Sequence, residues 1–202
     1  MQLDHIALSA TTLGEGVAHV EAALGVTLAP GGKHAYMSTY NRLLGLGDVY
    51  LEVIAIDPDA PPPGHSRWFD LDNFTGQPRL TNWIMRSDDL DVDVAASPDG
   101  AGVPVALSRN DLSWRMAVPA TGRLPLQDTF PALMQWNGSV HPVQKLADVG
   151  VRLVRLEITT PEADALNAAL SGRLDDPRLS IAQGPQKVIR AEFSTPDGRK
   201  WL

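Results

Sequence analysis

The chain has 202 residues, of which 44% are hydrophobic and 20% are charged, and its formal net charge is −7 at pH 7. This length is enough to bury a core. The negative charge argues against nucleic acid or an anionic membrane as a partner, because both attract basic surfaces. Cysteine is absent, so disulfides and thiolate metal sites are excluded, and any metal would need histidine, carboxylate, amide oxygen or water ligands.

The first predicted unit spans about residues 1–56 and opens on LDHIALS, a strand pattern. Thr12 and Glu15 then have the spacing of a capping box at a helix start. An apolar helical stripe follows and ends at Gly25, a residue typical of helix C-caps. The extended segments VTLAP, AYMSTYNRLLGLG and VYLEVIAI come next. The order is one strand, one helix and two or three strands.

The same order recurs in units spanning about residues 80–137 and 151–202. The second unit has a strand at TNWIMRS, a short acidic helix and further strands; the third begins with VRLVRLEITT. In the third unit, Thr160 is predicted to cap a helix with Pro161 at its first position. We therefore predict an α+β fold over a single domain, 1–202. Repeated βαβββ-type modules would form a curled mixed sheet with a barrel-like cleft and helices outside.

A proline-rich connector, DPDAPPPGHSRWFDLDNFTGQP, joins the first two units. Proline cannot donate to a sheet ladder, so this segment should lie outside the sheet. Its Trp68, Phe69 and Phe74 are too apolar for a free linker. We expect them to cover a barrel end or to lie in a subunit contact.

The stretches LDHIALSATTLGEGVAHVEAALGV, NRLLGLGDVYLEVIAIDP and EFSTPDGRKWL resemble modules of the vicinal oxygen chelate superfamily, in particular its glyoxalase-like branch. This resemblance implies βαβββ modules whose sheets curl into a cleft. In many members the cleft holds a divalent metal that polarises substrates with adjacent oxygens. Other members bind small molecules there without a metal.

The resemblance places His5 and Glu52 at the two metal-ligand positions of the first module. A neutral imidazole and a carboxylate suit Fe, Mn, Ni or Zn. His5 is otherwise interpreted as a hydrogen-bonded strand-end histidine, and Glu52 as a residue on the solvent side of its strand. Glu52 alternates with Tyr50 and Ile54, which favours the cleft.

The second half departs from the family's ligand pattern. The last strand of the second unit offers Gln135 in place of a carboxylate, and the first strand of the third unit offers Glu157. His141, in the second connector, can reach the site as a further ligand or can be an ordinary surface histidine. These three are the candidates for further ligands, and no pairing of units gives a complete four-ligand set.

Substrate contacts are predicted from residue type. Asn41 and Arg42 are candidates to anchor an anionic substrate, because arginine binds carboxylates through two parallel hydrogen bonds. Trp83, Trp114 and Trp136 are candidates to line an apolar cleft, although core packing is the default for each. His34 and Tyr40 are further lining candidates. The sequence assigns no catalytic residue.

Two functions remain open at this point. The first is a metal-dependent lyase, isomerase or dioxygenase acting on a small molecule, and the alternative is a metal-free protein that sequesters a small molecule. A structural or interaction module with a decayed site is a third interpretation. The start of the chain lacks signal-peptide character, which predicts the cytoplasm. A homodimer is expected only because dimers are common in the family.

Overall fold

The computed structural model describes residues 1–109 and 111–202. The strands are β1 (Gln2–Ser9), β2 (Ala29–His34), β3 (Thr39–Gly45), β4 (Tyr50–Ile56), β5 (Arg79–Arg86), β6 (Val103–Arg109), β7 (Leu112–Val118), β8 (Ala132–Trp136), β9 (Arg152–Thr160), β10 (Leu179–Gln183), β11 (Val188–Thr195) and β12 (Gly198–Trp201). The helices are α1 (Leu13–Leu24), α2 (Leu90–Ala95), α3 (Pro125–Asp128, a single turn) and α4 (Ala163–Leu170), with 3-10 turns at Trp68–Asn73 and Pro142–Gln144. The chain thus contains three successive βαβββ units.

The first two units share one mixed sheet of eight strands in the order β2-β3-β4-β1-β5-β8-β7-β6. The strand β1 pairs in parallel with β4 and antiparallel with β5, so the two units meet at their first strands. The sheet curls until its two edge strands approach each other, and the Arg109 side chain of β6 lies against Gly32 of β2. This arrangement confirms the predicted α+β fold with a cleft on the concave face.

The third unit forms a separate sheet of four strands in the order β10-β9-β11-β12. Its Leu153, Ile158 and Phe193 belong to the same apolar core as Trp83 and Leu133 of the eight-stranded sheet. The third unit therefore supports the back of the large sheet and does not complete the cleft. This shared core supports the single-domain organisation over 1–202, which remains a prediction.

Local signals account for the first helix better than for the last. Thr12 and Glu15 form the predicted capping box, and Gly25 ends α1 with a left-handed backbone, φ 72°. In the third unit the predicted helix start was two residues early: α4 begins at Ala163. Thr160 instead ends its strand, and its hydroxyl accepts a hydrogen bond from the Glu162 amide in a local turn.

The second predicted strand segment of the first unit also shifts. The first returning strand begins at Ala29, later than the predicted segment VTLAP, because Leu28 turns inward to pack in the core. Among the described residues, no helix has the length and apolar character needed to cross a membrane.

Candidate functional site

The concave face of the eight-stranded sheet encloses a cavity with an empty volume of about 400 Å³, including its mouth. Both of the first two units contribute walls. The lining residues are His5, His34, Asn41, Leu43, Tyr50, Glu52, Trp68, Phe69, Arg109, Trp114, Met116, Met134 and Trp136. Polar side chains from β1, β3 and β4 form one side of the cavity, and mostly apolar side chains from β7 and β8 form the other.

Asp4 is the centre of a buried hydrogen-bond network beside this cavity. Its side chain is fully buried and accepts three hydrogen bonds. The donors are His5 Nδ1 at 2.6 Å, His141 Nε2 at 2.9 Å and Trp136 Nε1 at 2.9 Å. Because His5 Nδ1 donates its hydrogen bond to Asp4, the Nε2 edge of the ring faces the cavity. The Tyr50 ring stacks on the imidazole of His5, with 4.4 Å between ring centres.

A second chain of contacts crosses the polar side of the cavity. His5 Nε2 lies 3.6 Å from Glu52 Oε2, which is ion-pair distance but longer than a hydrogen bond. Asn41 Nδ2 donates to Glu52 Oε1 at 2.5 Å. Arg109 Nη1 donates to Asn41 Oδ1 at 3.0 Å. Negative and positive charges thus alternate along the cavity, in the order Asp4, His5, Glu52 and Arg109.

His34 completes this polar row as a neutral imidazole. Its Nε2 accepts a hydrogen bond from Arg109 Nη1 at 3.2 Å, so its proton lies on Nδ1, which contacts Thr39 Oγ1 at 3.2 Å. Burial, helped by the positive charge of Arg109, lowers the pKa of His34 to about 4. His34 therefore orients Arg109 without carrying a charge at neutral pH.

The ion pairs fix the protonation of the central residues. Burial alone would lower the pKa of His5, but the hydrogen bonds and charges of Asp4 and Glu52 outweigh it and raise that pKa to about 9. Burial would likewise raise the pKa of Glu52, but the contacts with His5 lower it to about 2. The pKa of Asp4 also falls well below its usual range, because bonds from His141 and His5 outweigh its burial. Imidazolium and carboxylate are therefore the stable forms near pH 7.

Aromatic side chains form the remaining walls. Trp114 and Trp136 lie 5.5 Å apart between ring centres, and Trp68 stacks with Phe69 at 5.7 Å. The edge of His34 meets Trp68 at 5.1 Å. Indole and phenyl surfaces of this kind give a cavity the apolar, rigid walls typical of small-molecule sites.

The structure brings several sequence-predicted site residues together. His5, Glu52, Asn41 and Trp136 all line the cavity. His141 lies directly behind it on Asp4, with only 11% of its side chain exposed. These positions agree with an arrangement in which strands β1, β3 and β4 present one polar face.

Other predicted ligands lie elsewhere. Gln135 is on the opposite face of β8, where its Nε2 donates to the carbonyl of Asp88 near α2. Glu157 is on β9 of the separate sheet and contacts Arg155. Neither side chain is among those that line the cavity.

Three predicted substrate contacts also lie outside the cavity. Arg42 and Tyr40 alternate with Asn41 on β3, so Arg42 is exposed and Tyr40 packs against the opposite core. Trp83 is in that same core, and its Nε1 donates to the carbonyl of Thr129. Strand alternation accounts for Arg42 and Tyr40, since both neighbour Asn41, which lines the cavity. Trp83 alternates with Ile84, which packs in the apolar cluster that contains Trp114 and Met134.

Sequence reasoning missed Asp4 and Arg109. Asp4 was hidden because adjacent strand residues normally face opposite sides, yet β1 has a register shift between Leu3 and His5 that lets both polar side chains meet. Arg109 comes from the far edge strand, 68 residues from Asn41 in sequence. Only closure of the sheet brings it to the site. Trp68 and Phe69 of the connector were expected at a barrel end or a subunit contact, and the structure places them in the cavity wall.

The donor set does not fit a divalent metal. His5 Nε2 and Glu52 Oε2 converge, but among the described residues no group of three histidines or carboxylates can hold a metal ion. The facing strands supply Met116, Met134 and tryptophan, and the guanidinium of Arg109 adds positive charge. Catalytic zinc sites usually have three protein ligands, so the pair of His5 and Glu52 lacks one, and the adjacent guanidinium disfavours a second cation.

Close backbone packing at Gly31 keeps Asn41 in place. A Cβ at Gly31 would lie 2.1 Å from the Asn41 carbonyl oxygen. We therefore expect Gly31→Ala to separate β2 from β3 and to lower the free energy of unfolding by about 1–3 kcal/mol. Urea unfolding measures this change. Gly14→Ala is the matched control, because nothing lies within 4 Å of its added Cβ; equal losses in both variants would contradict the role of the close approach.

Comparison with known proteins identifies the family. The sequence model of a family described as glyoxalase-like domain matches residues 3–174. No match was found among curated proteins.

The solved structures similar to this chain are distant in sequence. A hypothetical protein from Staphylococcus aureus superposes with a TM-score of 0.67 at 13% identity, covering 92% of this chain and 87% of that chain. A Streptomyces coelicolor methylmalonyl-CoA epimerase in complex with 2-nitronate-propionyl-CoA has a TM-score of 0.43 and 13% identity, covering 68% and 97% of the two chains. The Mycobacterium tuberculosis epimerase has a TM-score of 0.43 and 16% identity, covering 68% and 88%.

Proposed function

The chain belongs to the glyoxalase-like domain family, and we propose that it binds a flat, largely apolar small molecule without a metal. The observation that carries this proposal is the composition of the cavity. His5 and Glu52 are paired with each other, Arg109 is hydrogen-bonded to Asn41, and the other walls are indole, phenyl and thioether side chains. Such a surface suits an aromatic or conjugated molecule with one polar end.

The polar end of the ligand would face Arg109 and His5. Arg109 bonds to His34 and Asn41 through Nη1 alone, and it forms no ion pair with a carboxylate among the described residues. Its remaining N–H groups can therefore donate to a carboxylate or enolate oxygen of the ligand. Asp4, His5, Glu52 and Arg109 sum to zero charge, so the cavity offers donors in fixed positions more than a net electric field.

The metal-dependent lyase, isomerase or dioxygenase is the alternative. One observation favours it: Asp4 holds Nδ1 of His5, as carboxylates often do for metal-bound histidines. The missing third ligand and the nearby guanidinium oppose a bound metal. The cytoplasmic location and the homodimer remain predictions from the sequence.

Tryptophan fluorescence tests the binding proposal, because three of the five tryptophans line the cavity. Aromatic carboxylates, catechols and dicarbonyl compounds would be titrated against wild type and Arg109→Met. We expect saturable quenching by at least one class. The loss of a charged hydrogen bond should raise the Kd of that ligand class by about ten-fold or more in Arg109→Met.

Arg42→Met is the matched control, because Arg42 is exposed on the outer side of β3. It should bind ligand as wild type does. Trp136→Phe should reduce the quenching amplitude, whereas Trp201→Phe, on the separate sheet, should not. Equal weakening by Arg42→Met and Arg109→Met, or an absence of quenching by every class, would contradict a binding site in this cavity.

A further inference from the structure

A second, larger cavity lies between the third unit and the connector, away from the site described above. Its empty volume is about 1060 Å³, including its open mouth. The 3-10 turn at Trp68–Asn73, the start of β5, the turn α3 and the loop before β11 enclose it. Its lining residues are Phe69, Asp70, Asn73, Phe74, Arg79, Leu80, Thr81, Asp128, Gln186, Lys187, Val188 and Ile189.

Lys187 is the one amine among the residues that line this cavity. It is half-buried and forms no ion pair with any described residue, whereas Lys33 pairs with Asp57 and Lys145 with Asp111. Burial, together with the charges of Arg79 and Arg123, lowers its pKa to about 8, although Asp128 and Asp70 act in the opposite direction. A fraction of Lys187 is therefore an unprotonated amine near neutral pH.

Two segments of the cavity wall have unusual backbone geometry. Phe69 and Asp70 have φ of 61° and 52°, and Leu126, Gln127 and Asp128 have φ of 54°, 55° and 64°. Left-handed conformations are costly for residues other than glycine, and they concentrate at binding sites. Here they hold the two carboxylates in place: Asp128 accepts from the Leu124 amide, and Asp70 accepts from Asn73 Nδ2.

The other charged groups near the amine are already engaged. Asp70 and Asp128 both pair with Arg123, at 3.7 Å and 3.0 Å. Arg79 is already occupied, since it donates to the carbonyls of Thr75 and Gln77 and lies over the Phe74 ring at 4.3 Å. The cavity therefore presents no free cation pair for a strongly anionic ligand, and it suits an uncharged one.

From this geometry we propose that the second cavity is a binding site for a small uncharged aldehyde or ketone, which Lys187 captures as an imine. The Nζ lone pair attacks the carbonyl carbon and forms a C–N bond. The carbinolamine then loses its oxygen as water, taking both protons of the amine, and leaves a C=N bond. The proposal is independent of the ligand proposed for the first cavity.

The chain has only four lysines, at positions 33, 145, 187 and 200, so peptide mapping can follow each one. The full-length protein would be treated with propanal and cyanoborohydride at pH 7, and alkylation of each lysine would be measured by mass spectrometry. Lys187 should react at least about ten-fold faster than the other three, because amines with lower pKa values contain more free base. Its rate should also saturate with propanal concentration.

Asn73→Trp distinguishes binding of the aldehyde in the cavity from simple chemical reactivity of the Lys187 amine. Asn73 is exposed on the opposite wall of the cavity, so the larger ring narrows the space without disturbing the core. The saturation should disappear and the Lys187 rate should fall, while Lys33 and Lys200 react as before. Lys187 alkylation no faster than that of Lys200, or a strictly linear rate unaffected by Asn73→Trp, would overturn the proposal.

Discussion

Replacing Asp4 with asparagine is expected to destabilise the protein by about 3 kcal/mol and to lower its Tm by roughly 6–12 °C. Asp4 is fully buried and accepts hydrogen bonds from His5, His141 and Trp136. An amide keeps the shape but removes the charge and turns two N–H groups toward these donors. The protonated His5 then keeps only Glu52 as a partner. Calorimetry measures the shift in Tm.

Asp91→Asn is the control for the loss of Asp4. Asp91 forms two hydrogen bonds with Arg115, but this pair is on the surface. Water screens such pairs, so the change should leave stability nearly the same. If Asp4→Asn were no more destabilising than Asp91→Asn, the network around Asp4 would not hold the site together.

Stability should also fall on the alkaline side because of His5. Its pKa is raised from 6.5 to about 9 in the folded protein. A raised pKa stabilises the fold fully below pH 6.5, and this contribution disappears as the pH rises through 9. Between pH 7 and pH 10, the free energy of unfolding of wild type should fall by roughly 2 kcal/mol more than that of His5→Gln. Urea unfolding at several pH values gives this difference.

His19→Gln controls for general effects of alkaline pH. His19 is exposed on α1 and has no role in the cavity. This variant should follow the pH dependence of wild type. A His5→Gln curve parallel to that of wild type would show that His5 is not held as an imidazolium between Asp4 and Glu52.

Local chemistry predicted the units of the fold. The capping box of Thr12 and Glu15 and the C-cap at Gly25 depend only on neighbouring residues, and the structure has both. The resemblance to a family supplied the curled sheet. At Thr160 the sequence predicted the start of the last helix two residues too early. The same hydroxyl can cap a helix or close a turn, and here it closes a turn.

Sequence reasoning found cavity residues of the first unit more readily than those of the second unit. Glu52 was singled out by the family resemblance and by strand alternation, and Asn41 by its residue type. Arg109 could not be found this way, because its approach to Asn41 depends on how far the whole sheet curls. A local signal existed for the position of Arg42 outside the cavity: it neighbours Asn41 on the same strand, and adjacent strand residues point to opposite faces.

The connector also shows what composition can and cannot indicate. The aromatic residues of the proline-rich segment were expected to be covered, and Trp68 and Phe69 are indeed buried. Which surface covers them depends on the path of the chain between two units. They lie on the cavity, so one segment contributes to both of the cavities described above.

Metal-free binding in the first cavity requires that His5 and Glu52 do not hold a metal ion. The most direct measurement is elemental mass spectrometry of untagged protein purified without chelators and then dialysed against Fe, Mn, Ni or Zn. His5→Ala and Glu52→Ala would be treated in the same way. We expect far less than one metal per chain in every sample. About one metal per chain in wild type, absent from both variants, would contradict it and would establish His5 and Glu52 as ligands.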